Sequence, residues 1–414
     1  MWKILLKEFI SDLRAQKTRA FLTMFAITWG TIAVVLLLAF GEGLGNTMRR
    51  GLLNAGDRIF QVYGGETSVT YEGLPKGRQI RLREDDLDLL MRNIPEIDAG
   101  SVSYGKWGTA LEYGKTKTTT FMEAVDPSFE DLRRMYPAAG GRFLNDRDNL
   151  EKRRVAFLGP EIATRVFGQE EVVGELLMID GLPFTVIGVM QEKLQTSMNN
   201  GPDANRVVIP SATFQAIHGW RNVGHLVLRP RSIDRAPFVK TEIFRVLGRR
   251  YQFDPEDERA LGVWDFIENE KMGARIFMGI TIFLGAIGGL TLLLAGVGVA
   301  NIMYVTVRER TREFGVKRAL GARKYHIKLQ VIFEALLLSL TGGAIGLAVS
   351  ASVVAAVNSI PNKEGAAEFL ANPVLSMPVA VTTVIVLMTV GLLAGYFPAR
   401  RAASVDPVEA LRFE

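Results

Sequence analysis

The sequence predicts an α-helical membrane protein with four transmembrane helices and a large α+β extracytoplasmic domain on a helical stalk. The first observation is four apolar segments without charged residues, at 20–41, 276–307, 335–362 and 369–399. Each is long enough to cross a hydrocarbon core of about 30 Å, which takes about 20 helical residues. The second is their spacing, because more than two hundred residues separate the first segment from the second. The third is the mixed strand and helix patterning of that long gap.

Basic residues near the ends of the spans determine which side faces the cytoplasm, because short basic loops resist translocation. They cluster before the first span, between the second and third spans, and after the fourth. The loop between the third and fourth spans has one basic residue, Lys363. We therefore expect a multi-pass protein of the inner membrane with both termini in the cytoplasm. The clusters are Lys3, Lys7, Arg14, Lys17 and Arg19; Arg308, Arg310, Arg312, Lys317, Arg318, Arg323, Lys324 and Lys328; and Arg400, Arg401 and Arg412.

Each segment of the chain follows from these patterns. Apolar residues from Trp2 to Leu13 recur at helical spacing opposite charges, which predicts an amphipathic helix on the inner membrane face; an extension of the first span into water is the alternative. The segments are an N-terminal cytoplasmic helix (1–19), a first span (20–45), the extracytoplasmic domain (46–270), a second span (276–307), a cytoplasmic coupling loop (308–328), a third span (331–360), a short external loop (361–373), a fourth span (374–398) and a cytoplasmic tail (399–414).

The second apolar stretch is longer than a membrane requires. Its 32 residues would measure about 48 Å as a helix. We therefore expect the first and second spans to continue outward as a helical stalk, with strong tilt as the competing explanation.

The extracytoplasmic domain alternates strand and helix patterns, which predicts an α+β fold. Two hairpins are expected, one turning at Gly114 and one at Asp180-Gly181. A second subdomain is expected to be inserted in the first at about 141–215. The predicted strands are 59–63, 155–158, 175–179, 184–189, 207–209 and 225–229, and the predicted helices are 83–93, 160–167 and 237–247.

Composition argues against catalysis and against several kinds of site. The chain has no cysteine and three histidines, none with a companion at metal-ligand spacing, so no metal site is expected. Gly108 and Gly114-Lys115-Thr116 miss the spacing of a phosphate-binding loop and lie among strands. The net charge of +5 comes largely from the cytoplasmic loops, so it indicates contact with anionic membrane lipids and no nucleic acid partner. We do not expect an enzyme.

The apolar spans lack the carboxylate relay of an ion-coupled transporter, which points to an external energy source. The exception is Glu334, near the cytoplasmic end of the third span, which is expected either to pair with Lys328 or a preceding arginine or to snorkel to the membrane interface. Small residues four apart recur in every span and predict close helix packing, with at least one pair at a dimer interface. These pairs are Gly41/Gly45, Gly285/Gly289, Gly342/Gly346 and Gly391/Gly395.

The loop between the second and third spans is short and amphipathic. Phe314, Val316 and Leu320 are apolar anchors among charges, and Gly315 and Gly321 mark breaks. This pattern suits a small helix that inserts into a groove on a soluble partner. A solvated basic loop would explain the arginines but not the repeated apolar residues.

The same loop carries a family resemblance. The run Arg312-Glu-Phe-Gly-Val-Lys-Arg-Ala-Leu-Gly-Ala322, followed by Gln330 and Glu334-Ala335, resembles the loop and third span of MacB/FtsX-type ABC transporter permeases. The run from Pro398 to Arg412 resembles their C-terminal signature. Outside, Gly141-Arg-Phe143, Arg165-Val-Phe-Gly168 and Ile179–Val189 resemble the MacB-like periplasmic core domain.

The resemblance implies a permease that forms a homodimer or heterodimer and recruits two copies of a separate ABC ATPase. That ATPase would bind ATP and magnesium, so no cofactor is expected in this chain. Its closure would move the coupling loop, and the stalk would transmit the motion outward for export or extraction of a substrate. The implied coupling residues are Glu309, Arg312, Glu313, Phe314, Gly315, Val316, Arg318, Leu320 and Gly321, with Arg400, Arg401, Asp406 and Pro407 as the C-terminal contact.

Other functions stay open at this level. An FtsX-like regulator that transports nothing and a lipoprotein-releasing permease are the alternatives within the family. A periplasmic adaptor and an outer-membrane channel are further candidate partners. Unlike in MacB, the ATPase is expected to be a separate chain and not fused at the N-terminus. Drugs, peptides, lipoproteins and lipids all remain candidate substrates.

Overall fold

The computed structural model describes residues 17–56, 58–168, 172–195, 200–360 and 372–405. Most of the predicted N-terminal amphipathic helix, most of the external loop at 361–373, and the tail from Asp406 onward lie outside these residues. The chain forms two compact units. A helical unit contains the residues up to Thr47 and from Arg275 onward, and an α+β unit spans Met48–Ala274.

The elements follow one another along the chain as alternating helices and strands. In order they are α1 (Lys17–Asn54), β1 (Phe60–Gly64), α2 (Asp85–Asn93), β2 (Ile97–Tyr113), β3 (Thr116–Val125), α3 (Phe129–Arg133), α4 (Asp146–Leu150), β4 (Val155–Leu158), α5 (Pro160–Phe167), β5 (Leu176–Ile179), β6 (Leu182–Val189), β7 (Arg206–Pro210), α6 (Ser211–His218), β8 (His225–Pro230), α7 (Ala236–Tyr251), β9 (Leu261–Asp265), α8 (Phe266–Glu309), α9 (Thr311–Ala319), α10 (Lys324–Asn358) and α11 (Met377–Ala403).

Among the described residues, four helices, α1, α8, α10 and α11, are long and apolar enough to cross a membrane, as predicted. Helix α1 has 38 residues and α8 has 44, so they would measure about 57 Å and about 66 Å. Both exceed a hydrocarbon core of about 30 Å. Within the α+β unit their ends lie side by side, with Arg49 paired to Glu270 at 3.4 Å. These lengths agree with the predicted stalk.

Six strands of the α+β unit close into a ring in the order β2–β3–β7–β4–β6–β5 and back to β2. The 17-residue β2 makes this possible, because its first half pairs with β8 and its second half pairs with β3 and β5. A register shift between Lys106 and Thr109 bends it, with Gly108 at φ +70°. Strands β8, β1 and β9 extend the sheet beyond the ring.

The hairpins follow the sequence prediction. Strands β2 and β3 turn at Gly114, and β5 and β6 turn at Asp180 and Gly181, whose φ angles of +48° and +79° fit a tight hairpin turn. The strand at 155–158 and the helix at 160–167 lie where they were predicted. Strand β9 and helix α6 were not predicted.

The predicted insertion at 141–215 shares its sheet with the rest of the domain, because β4 to β7 lie in the same ring as β2 and β3. The division into two subdomains stays a prediction. One apolar cluster of this unit joins the end of α1 to the start of α8, since Ala55, Ile59 and Phe266 are buried together with Phe129 and Phe157.

Candidate functional site: the helix between the second and third spans

Helix α9 is a two-turn segment between the long helices α8 and α10. It ends where Gly321 adopts φ +95°, a conformation that side chains other than glycine rarely adopt. The amide of Gly321 donates to the carbonyl of Arg318, and that of Ala322 donates to Lys317, at 3.0 Å each. The predicted break at Gly321 therefore has a backbone cause.

Phe314 does not lie on the exposed face of α9, and this corrects the sequence expectation. Its side chain is 1% exposed and packs in one apolar cluster with Val307, Ile327, Val331 and Ala402. The neighbouring Gly315 is also buried and lies inside α9, so the predicted break at Gly315 is wrong. A helix as short as α9 needs one face against the rest of the protein to be stable, and Phe314 supplies that face. Phe314 is an internal anchor that holds α9 in place.

An arginine just before α9 fixes the helix to α10. Arg310 donates from Nη1 to both carboxylate oxygens of Glu334 at 3.1 Å, which confirms that Glu334 pairs with a preceding arginine. Arg310 also binds Glu313, with Nε 2.8 Å from Oε2, and its guanidinium lies 5.2 Å from the ring centre of Phe314. The hydrogen bond from Arg310 lowers the pKa of Glu313 to about 2, with a further contribution from Lys317. Glu313 is therefore ionised at physiological pH.

Arg318 connects α9 to the C-terminal end of α11. Its Nη1 donates to the carbonyl of Val405 at 2.8 Å and to that of Ala403 at 3.4 Å. A cation is favourable there because the last carbonyls of a helix have no partner within the helix. Of the predicted C-terminal contacts, Arg400 and Arg401 are exposed, whereas Asp406 and Pro407 lie outside the described residues.

The exposed face of α9 combines apolar and charged side chains. Leu320 is 84% exposed and Val316 is 41% exposed. Glu309, Arg312 and Glu313 are exposed on the same short stretch. Val316 and Leu320 are thus open to a partner, and their contact with an ATPase stays a prediction. The sequence did not identify Lys317 as a partner of Glu313, at 3.0 Å, although the spacing of four residues on a helix is a usable signal.

Three of the four predicted small-residue pairs pack inside the chain. A Cβ on Gly346 would lie 2.7 Å from Cβ of Thr31, and one on Gly395 would lie 2.8 Å from Cβ of Ala335. Gly41, Gly342 and Gly391 are similarly close to neighbouring helices, and Gly45 lies against Phe277. By contrast, a Cβ on Gly285 or Gly289 would meet nothing within 4 Å among the described atoms.

Nothing in the described segments resembles a metal or nucleotide site. No group of three or more His, Asp or Glu residues among them could hold a metal ion. Gly108 lies at the bend of β2, and Gly114 lies in the hairpin turn that follows. The helix-flanked glycine loop of a nucleotide site is not formed at these positions.

Two family descriptions match the chain. Residues 20–243 match the MacB-like periplasmic core domain, and residues 285–407 match the FtsX-like permease C-terminal domain. The first match spans more than half of the chain. The protein therefore belongs to the MacB/FtsX-type family of ABC transporter permeases, as its motifs predicted.

Individual relatives agree with this membership. The chain is 30% identical over 413 residues to the macrolide export ATP-binding/permease protein MacB of Wolinella succinogenes, covering 97% of this chain and 60% of that protein. It is 28% identical over 410 residues to MacB of Bdellovibrio bacteriovorus, with coverage of 97% and 60%. It is 30% identical over 399 residues to the pyoverdine export ATP-binding/permease protein PvdT of Pseudomonas syringae pv. tomato, with coverage of 96% and 57%. The chain thus spans about 60% of the length of the curated relatives it matches.

Two solved extracytoplasmic domains have limited similarity to this chain. The extracellular domain of the noncanonic ABC-type transporter YknZ from Gram-positive bacteria has a TM-score of 0.41 and 17% identity, covering 50% of this chain and 100% of that chain. The periplasmic region of MacB from Actinobacillus actinomycetemcomitans has a TM-score of 0.42 and 15% identity, covering 53% and 94%.

Proposed function

We propose that this protein is the permease subunit of a MacB-type ABC exporter that works as a mechanotransmission device. An ABC ATPase binds ATP and magnesium in the cytoplasm and docks on the exposed face of α9. Closure of two ATPase copies moves α9 in each permease of a dimer. The long helices α1 and α8 carry that motion to the α+β domain outside, which drives export or extraction of a substrate.

The observation that carries the proposal is the double-sided construction of α9. Its inner side is held by Phe314 and by the ion pairs of Arg310, so the helix is fixed without a partner. Its outer side leaves Leu320 almost fully exposed beside charged residues. An apolar anchor with a charged rim is typical of a protein docking surface.

The names of the relatives support an ATPase partner and an export reaction, because MacB and PvdT are both export ATP-binding/permease proteins. The basic residues around α9 support its location in the cytoplasm, where ATP is available. A periplasmic adaptor and an outer-membrane channel would extend the same export route to the outside of the cell.

Replacing Leu320 with aspartate tests the docking surface. We expect Leu320→Asp to reduce co-purification of the ATPase from native membranes in mild detergent at least about tenfold, which corresponds to about 1.4 kcal/mol. The matched control is Val173→Asp, an equally apolar residue that is 49% exposed in the α+β unit. This control should retain the ATPase. Equal ATPase recovery with wild type and Leu320→Asp would refute the docking assignment.

A further inference from the structure

A buried network of charged side chains lies at the outer end of α1. Its members are two carboxylates and three cations, Glu123, Asp203, Arg133, Arg206 and Lys193, and every one of these side chains is at most 9% exposed. Asp203 is the centre, because it accepts a hydrogen bond from Arg133 at 2.9 Å and forms ion pairs with Arg206 at 3.0 Å and with Lys193 at 2.8 Å.

Lys193 connects this network to α1. Its ammonium group donates to the carbonyl of Asn54, the last residue of α1, at 3.0 Å, and to the carbonyl of Arg133, the last residue of α3, at 2.7 Å. A longer contact to the carbonyl of Arg134, at 3.4 Å, gives one acceptor for each of the three protons of the ammonium group, and Asp203 forms an ion pair with it. A positive charge is also favoured at the C-terminal ends of two helices.

The connection at Asn54 is made twice. While its carbonyl accepts from Lys193, its side-chain amide donates from Nδ2 to the carbonyl of Leu194 at 2.9 Å. The end of α1 is thus bound to the segment 193–194 through both main chain and side chain. Each bond is directional, so the two together fix the position of the helix end along its axis.

The network continues from Asp203 into the strands of the ring. Arg206 is the first residue of β7 and binds both Asp203 and Glu123, which lies on β3. Glu123 also accepts from the hydroxyl of Ser103 on β2 at 2.9 Å. A path of ion pairs and hydrogen bonds therefore runs from the last turn of α1 to three neighbouring strands.

Burying these charges is costly compared with an apolar core of the same volume, so stability alone does not explain the network. Directional charged contacts fix relative position better than apolar packing, which allows sliding. We propose that Lys193 and Asn54 form a clamp through which axial displacement of α1 moves β3 and β7. The clamp rests on the proposed function, because it would pass on to the strands the motion of α1 that the ATPase produces.

Hydrogen exchange on the full chain in complex with its co-purified ATPase tests the clamp. Exchange is measured with and without a non-hydrolysable ATP analogue at the end of α1 (48–54), in β3 (116–125) and in β7 (206–210). The variants are Lys193→Met, which keeps the chain length without the charge, and Asn54→Ala, which leaves all buried charges in place. The matched control is Lys117→Met. Lys117 is 71% exposed, and within the described residues its one ion pair is with Glu112.

In wild type and Lys117→Met, we expect the nucleotide to change exchange at 48–54 and in both strands. In Lys193→Met and Asn54→Ala, the change at 48–54 should remain while the change in the strands falls at least about fivefold, the loss expected from removing one or two hydrogen bonds. Asn54→Ala keeps the test valid if Lys193→Met fails to fold.

The two ways of failing give different results. If wild type responds at both places and Asn54→Ala responds equally, the clamp is wrong and the proposed function stands. If the nucleotide changes exchange at neither place in wild type, the proposed function is wrong and the clamp has no motion to transmit.

Discussion

The pKa of the buried His225 depends on the ion network beside it. The imidazole is 3% exposed and stacks on Tyr63 at a centroid distance of 4.8 Å. Burial lowers its pKa to about 4, Glu123 raises it, and Arg133 and Arg206 lower it further. A neutral histidine next to the arginines avoids adding a further positive charge to the interior.

The lowered pKa of His225 predicts the direction in which the stability of the protein changes with pH. His225 binds a proton below pH 6.5 when unfolded but only below about pH 4 when folded. The unfolded state therefore takes up more protons in that window, and stability falls as the pH is lowered through it, by up to about 3 kcal/mol. In His225→Phe, which keeps an aromatic ring against Tyr63, we expect a smaller loss over the same window. Denaturant unfolding of the full chain, followed by tryptophan fluorescence at a series of pH values, measures it.

His218→Phe is the matched control for that experiment. Burial also lowers the pKa of His218, but its ring lies partly exposed against Phe214, so its contribution should be smaller. An unchanged pH slope in His225→Phe would contradict a buried neutral imidazole as the source of the acid sensitivity.

At the scale of the element, α9 separates what a sequence pattern can and cannot predict. Alternating apolar and charged residues predicted an amphipathic segment with Phe314, Val316 and Leu320 as its apolar anchors, and of these Leu320 is the most exposed. The same pattern could not tell which apolar residue faces inward, because a two-turn helix has too few residues to define a stripe. Burial of Phe314 depends on Ile327 and Ala402, which belong to other helices. Tertiary contacts, and not local periodicity, decide its role.

The two apolar residues of α9 should therefore respond differently to truncation. We expect Phe314→Ala to lower the stability of the helical unit by about 3 kcal/mol, because it leaves a cavity in a packed cluster. Leu320→Ala should cost less than about 0.5 kcal/mol, because the side chain is exposed. Thermal unfolding of both variants in the same detergent compares them. Equal melting temperatures would show that Phe314 is not an anchor.

At the scale of the whole molecule, the hairpins and the spans could be predicted from the sequence, whereas the closure of six strands into a ring could not. Both hairpins and the four spans follow from turn residues and apolar length. The ring of strands depends on the pairing of Leu111 with Ile179, far apart in sequence, and no local signal specifies that register. The sequence did not predict the proposed clamp for the same reason, because no periodic spacing connects Asn54 with Lys193 and Asp203.

Some glycines of the spans pack against other helices of the same chain, whereas others lie on a surface that a second copy could contact. On α10, Gly346 lies against α1, where the hydroxyl of Thr28 donates to the carbonyl of Gly342 at 3.0 Å. On α8, Gly289 has no neighbour within reach of a Cβ among the described residues. Close approach at Gly346 thus serves the fold of the single chain. The free surface at Gly289 is available for helix packing between two permeases, as the proposed dimer requires.

Substituting leucine at each glycine tests this division. We expect Gly346→Leu to destabilise the chain by at least about 3 kcal/mol, because the side chain would collide with Thr31 and the backbone of α1. Gly289→Leu should leave the melting temperature of the chain unchanged but shift the permease from dimer to monomer. Cross-linking and particle mass in lipid nanodiscs measure the oligomeric state. A Gly289→Leu protein that stays dimeric at the wild-type level would place the interface on another face, because a leucine there would keep two closely packed helices apart.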